Sequence, residues 1–152
     1  MTDRVPVETS RQRWMAILAR APAERLEALL IEAEGAPEYT VLRGPESGLV
    51  MVRGRAGGGG APFNVGEMTV TRCTVRLDSG LVGHAYIAGR EPRRAELAAL
   101  ADALMQDPER MERLEAQVIT PLQASQAARR AERAGKAAAT RVQFFAMQTM
   151  RT

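Results

Sequence analysis

Apolar positions recur at helical spacing twice near the start of the chain. Trp14, Ile17 and Leu18 stand at i, i+3 and i+4 behind a Thr9 or Ser10 cap, and Leu26, Leu29, Leu30 and Ala33 repeat the stripe after Pro22. Gly35 closes the second run. Two short helices folded as an αα-hairpin are the simplest outcome. From Glu38 the period falls to two. Residues 39–43 and 49–53 alternate around Gly44-Pro45-Glu46-Ser47-Gly48, which reads as the turn of a first hairpin. Residues 68–77 then place Thr69, Thr71, Cys73, Val75 and Leu77 on one face and Val70, Arg72, Thr74 and Arg76 on the other. Asp78-Ser79-Gly80 reverses the chain into residues 81–89. With Gly80 left-handed, Leu77 pairs with Leu81, Thr74 faces His84 and Arg72 faces Tyr86. The expectation is four strands in a single antiparallel sheet.

The helical period returns after Glu91-Pro92, where Leu97, Leu100, Ala101 and Leu104 can rest on the sheet. Asp107-Pro108 breaks that run, and a short helix carries Met111, Leu114 and Val118. Pro121 opens a long Ala- and Arg-rich helix expected to reach about residue 148. The predicted fold class is therefore α+β: an antiparallel sheet of four strands packed with helices, an N-terminal αα-hairpin and a long C-terminal helix. With 152 residues, one domain over 10–152 is expected behind a flexible stretch at 1–9.

Composition narrows the function classes. One cysteine, Cys73, excludes an intramolecular disulfide framework and a paired-cysteine metal site. No apolar run approaches a membrane span, so a cytoplasmic protein is expected. Twenty arginines stand against one lysine, Lys136, a bias that reflects genome composition more than chemistry. Their placement is more informative. From Gln123 onward there are six basic residues and one acid, Glu132, so the C-terminal segment is expected to meet something acidic. With three Phe, two Tyr and one Trp the core is thin in aromatics, and completion by a partner subunit is expected.

The candidate chemistry is sparse. Gly57, Gly58, Gly59 and Gly60, flanked by Arg53 and Arg55, could turn backbone N–H groups toward a phosphate or phosphonate. No Gly-Lys-Ser/Thr follows, so the run is not a Walker loop, and a flexible connection is the plainer reading. His84 is the only histidine and the only ready general base near neutral pH. Cys73 points away from it, which argues against a Cys–His nucleophile pair. Arg72 could fork onto an anion, with Glu67 nearby in sequence. Arg129, Arg130 and Arg133 could neutralise nucleic-acid phosphates, but no aromatic surface interleaves them, so a protein interface over Arg129, Arg133, Arg141, Phe144 and Phe145 is preferred. No catalytic residue and no metal site emerges.

Several short segments follow one another in a set order and spacing: Trp14-Met15, Glu46 with Gly48-Leu49-Val50, Gly57-Gly58 with Gly60, Phe63 and Gly66-Glu67. They continue with Thr71-Arg72, Val75-Arg76-Leu77, Gly89-Arg90, Ala95-Glu96, Asp102-Ala103-Leu104-Met105-Gln106, Pro121-Leu122, Arg141-Val142 and Phe144-Phe145. Together they resemble the PhnG family, the G subunit of the carbon–phosphorus lyase core complex of bacterial phosphonate breakdown, over roughly residues 11–147. The chain departs from the family pattern at His84, where an aromatic residue is frequent, and at Arg94, where a histidine can precede Ala-Glu.

The resemblance implies a component of an assembly with H, I and J subunits, working functionally with an L protein. That assembly replaces the adenine of ATP by methylphosphonate, giving alpha-D-ribose 1-methylphosphonate 5-triphosphate. An iron–sulfur cluster and S-adenosylmethionine then belong to the J subunit, and this chain carries no cofactor. A scaffold or accessory role in a transferase, inactive alone, follows from the missing catalytic set. Gly57, Gly58, Gly60, Glu67, Arg72 and His84 are expected on one surface facing a partner or the substrate cavity. The alternatives are a stand-alone phosphate-binding enzyme using the glycine loop and an Arg-rich nucleic-acid-binding protein.

Overall fold

The computed structural model describes residues 9–142. Helix α1 (Ser10–Leu18) begins with a capping box: Gln12 N–H donates to Thr9 Oγ1 at 3.2 Å, and Thr9 N–H donates to Gln12 Oε1 at 2.8 Å. Helix α2 (Ala23–Glu34) buries Leu26, Leu29 and Leu30 and ends at Gly35, whose φ is 70°. The two do not pack chiefly on each other, as an αα-hairpin would. Both rest on α3 (Pro92–Met105). That helix is the centre of the fold, since residues 97–105 are all buried, as a helix with no polar face requires. Its alanines permit close approach to the sheet. A Cβ at Gly83 would overlap the Ala99 carbonyl and come within 2.5 Å of the Ala103 amide nitrogen.

The sheet has three strands in the order β1 (Tyr39–Arg55), β2 (Pro62–Leu77), β3 (Val82–Ala88), all antiparallel. The expected fourth strand does not exist, because Gly44-Pro45-Glu46-Ser47-Gly48 is not a turn. The register slips between Val41 and Arg43 and again between Arg43 and Glu46, so the extra residues bulge out and β1 runs on in the same direction. Turn-type residues serve bulges as well as reversals, and a sequence pattern does not separate the two. The chain reverses instead at the glycine run. By contrast the second hairpin matches expectation. Gly80 has φ 93°, Leu77 N–H donates to Leu81 O at 2.9 Å, Thr74 faces His84 and Arg72 faces Tyr86.

β3 ends opposite Val70, so from Leu49↔Thr69 to Arg55↔Pro62 the β1–β2 pair continues as a two-stranded ribbon. At about 3.3 Å per residue this ribbon reaches roughly 20 Å beyond the third strand.

The C-terminal helical region differs from expectation twice. α4 (Pro108–Leu114) and α5 (Thr120–Ala139) are not separated by a break. A π-helical turn, Glu115–Ile119, joins them. Thr120 N–H reaches back to Glu115 O, and the widened turn takes in Pro121, which has no N–H to give. Among the described residues α5 ends at Ala139, and residues 143–148 of the expected helix lie outside them. Thr140 Oγ1 donates to Ala137 O at 3.1 Å, offering the backbone an alternative to the next helical turn. Only Leu122 of α5 is buried, and every residue from Ala127 to Val142 is exposed. Among the described residues no helix is long and apolar enough to cross a membrane.

Candidate functional site

Pleating decides what the sheet shows. Cys73, Val75, Ala85 and Ile87 turn inward onto α3, so Arg72, Thr74, His84 and Tyr86 line the open face. His84 Nδ1 and Thr74 Oγ1 share a hydrogen bond of 3.2 Å. Among the described residues no carboxylate or thiol side chain is hydrogen-bonded to the ring. Cys73 lies 2% exposed on the opposite face, and burial, aided by the nearby Glu96 charge, pushes its thiol pKa up. A raised thiol is a poor source of thiolate. The face can bind and orient, and it holds no activated nucleophile.

Arg72 already has an anion. The bulge of β1 carries Glu46 opposite it, and Glu46 Oε1 accepts from Arg72 Nε and from Arg43 Nε, each at 2.6 Å. These bonds, Arg43 first and Arg72 second, hold the Glu46 carboxyl below its ordinary range. Glu67 is not part of this cluster. It pairs with Met51 in the ribbon, and the glycines 57–60 form the ribbon's tip. Arg72 lies about 30 Å along β2 from that tip at the usual strand rise. The structure therefore separates the residues expected on one surface into a tip (Gly57, Gly58, Gly60), a shaft (Glu67) and a base (Arg72, His84).

Of the residues expected at an interface, Arg129 and Arg133 are exposed on one face of α5 and Arg141 is exposed just beyond it. Phe144 and Phe145 lie outside the described residues. Arg129 and Arg133 also line a cleft of about 480 Å³ with Arg20, Arg94 and Arg130, floored by Ala19 and Ala88. Gln126 Nε2 donates to Ile17 O at 2.8 Å and so ties the wall formed by α5 to α1. Sequence reasoning missed this cleft, because its arginines lie far apart along the chain.

It also missed Asp102. This carboxylate is fully buried and accepts from Trp14 Nε1 at 2.9 Å, from Arg11 NH2 at 2.8 Å and from the His84 backbone N–H at 2.9 Å. One turn later Gln106 Nε2 donates to Val82 O at 2.7 Å. Asp102 and Gln106 thus satisfy backbone groups on β3, an edge strand, which would otherwise be open to pairing. The spacing i, i+4 on a helix was the available signal.

The family model described as "Phosphonate metabolism protein PhnG" matches residues 9–150. The chain is 48% identical over 140 residues to the "Alpha-D-ribose 1-methylphosphonate 5-triphosphate synthase subunit PhnG" of Rhizobium meliloti (strain 1021), an alignment covering 90% of this chain and 87% of that protein. A fold centred on the Asp102 segment, with its sequence matched nearly from end to end, belongs to the PhnG family.

Proposed function

We propose that this chain is a non-catalytic subunit of a ribose 1-methylphosphonate 5-triphosphate synthase in phosphonate catabolism, and that the β1–β2 ribbon is its principal docking arm. The ribbon carries the reading. Leu49 is 64% exposed, Val65 61%, Met51 55% and Phe63 50%, on a pair of strands that, among the described residues, has no third strand and no helix over it. A two-stranded ribbon alone is marginal in water, and a contiguous exposed apolar surface marks an interaction site. The occupant is another subunit of the synthase, offering an apolar groove into which both faces of the ribbon insert. The Rhizobium meliloti relative, a synthase subunit, supports this choice.

In this reading the partners are the H, I and J subunits, with the L protein acting alongside, in the cytoplasm where ATP is supplied. The assembly breaks the bond between the ribose and adenine of ATP and joins methylphosphonate at the freed carbon. The iron–sulfur cluster and S-adenosylmethionine serve a later step on a partner. This chain contributes surfaces and no reacting group, in keeping with a lone histidine paired only to Thr74. The test is reconstitution from ATP and methylphosphonate with the co-encoded proteins. Product is expected only when this chain is present, and undiminished product without it would remove the assigned role.

A further inference from the structure

We infer that the arginine cleft between α1, the start of α3 and α5 is a binding site for an oligophosphate, the class to which the triphosphate of the synthase product belongs; the choice of that class rests on the function proposed above.

Four observations converge. First, the cleft is lined by five guanidinium groups, Arg20, Arg94, Arg129, Arg130 and Arg133, and by no carboxylate. Among the described residues Arg20, Arg129, Arg130 and Arg133 make no ion pair, so their charges are not neutralised within the chain. Second, the site is built rather than loosely draped. Arg94 NH2 donates to Ala19 O at 2.9 Å, which fixes the guanidinium between α1 and α3, and its Nε is buried without any hydrogen-bond partner.

Third, α2 begins beside the cleft. A second hollow shares Arg20, Arg94 and Arg129 and is bordered by Pro22 and Ala23. Pro22 gives this 12-residue helix no side-chain cap, so the positive end of its dipole, at the border of that hollow, adds to the local positive potential. Glu24 and Glu91 also line that second hollow, and Glu91 Oε1 lies 3.8 Å from Arg94 NH1, so the anion is assigned to the larger cleft, which no carboxylate lines. Fourth, the floor is alanine, with no large apolar side chain for a protein partner to grip, whereas planar guanidinium forks match phosphate oxygens two at a time. A volume of about 480 Å³ falls within the usual range for small-molecule sites.

The experiment titrates inorganic tripolyphosphate into the full chain at physiological ionic strength. Three proteins are compared: the natural sequence, the Arg129→Ala/Arg133→Ala double variant and an Arg53→Ala/Arg55→Ala double variant of equal charge. The α5 residues are exposed, so the first variant keeps the fold. The expected result is saturable binding that weakens about tenfold or more, about 1.4 kcal/mol or more, in the α5 variant and changes little in the ribbon control. Absence of saturable binding, or equal loss in both variants, overturns the assignment as mere net-charge attraction. So does an α5 variant that binds tripolyphosphate normally but no longer co-purifies with the other subunits, which would make the cleft a seat for an acidic protein segment. Because binding is measured on this chain alone, its failure leaves assembly into the synthase untouched, and failed reconstitution leaves the binding result standing.

Discussion

The carboxylate of Asp102 accepts the backbone N–H of His84 at 2.9 Å, so the central helix holds the free edge of the sheet through a side chain. The same carboxylate takes Trp14 and Arg11 of α1, which makes one buried group the joint between three elements. Its hydrogen bonds, above all, hold the Arg11 guanidinium pKa above its ordinary value against the opposing effect of desolvation.

Asp102→Ala leaves four N–H donors, on Arg11, Trp14 and His84, without their acceptor and should cost about 3–5 kcal/mol. Asp102→Asn keeps one carbonyl oxygen and should cost less. Urea unfolding measures both, and an alanine variant as stable as the parent contradicts the assigned role.

Gly83 and Gly66 both lie in strands, yet only the first meets a helix. Gly83→Ala forces β3 off α3 and should lose about 1–3 kcal/mol. Gly66→Ala points into open space and should change stability little. Equal effects at the two positions would show that the contact at Gly83 is looser than described.

Glu46 is depressed by Arg43 and Arg72, so the stability it contributes is present above the ordinary carboxylate pKa and is lost as pH falls through the lower folded value. The group is exposed and the contribution is small. Carbon-detected NMR titration should place its midpoint below the ordinary glutamate range, and Arg72→Ala should raise it. An ordinary midpoint in the parent chain would falsify the pairing.

Much of the fold was legible where local chemistry and global packing agree. Asp78-Ser79-Gly80 allows only a tight reversal, and the alternation from Thr71 to Leu77 leaves one choice of buried face, so the pairing of Thr74 with His84 follows. The misreadings share a cause. Gly44-Pro45 suits a bulge as well as a turn, and Pro121 suits a π turn as well as a helix start; which occurs depends on strands and helices remote in sequence. The open-face stripe was visible for the same reason as the hairpin. The arginine cleft was not, since Arg20, Arg94 and Arg129 meet only after α1, α3 and α5 have packed.

His84 faces solvent with Thr74 as its hydrogen-bond partner, so His84→Gln should leave product formation by the reconstituted synthase within about twofold of the parent, far short of the losses of about 10² or more that follow removal of a general acid or base. A loss of that larger size would place the imidazole in the chemistry and end the reading of this chain as non-catalytic.

The central claim is that the two-stranded ribbon seats this chain in a larger assembly. Affinity purification of the tagged chain, co-expressed with the co-encoded proteins, tests it with Leu49→Asp/Val65→Asp against Ile31→Asp, an equally exposed apolar position on α2. The ribbon variant should remain folded, since neither side chain is buried, but be recovered without the partners, while Ile31→Asp brings them down as the parent does. Recovery of the full set of partners by the ribbon variant would contradict it.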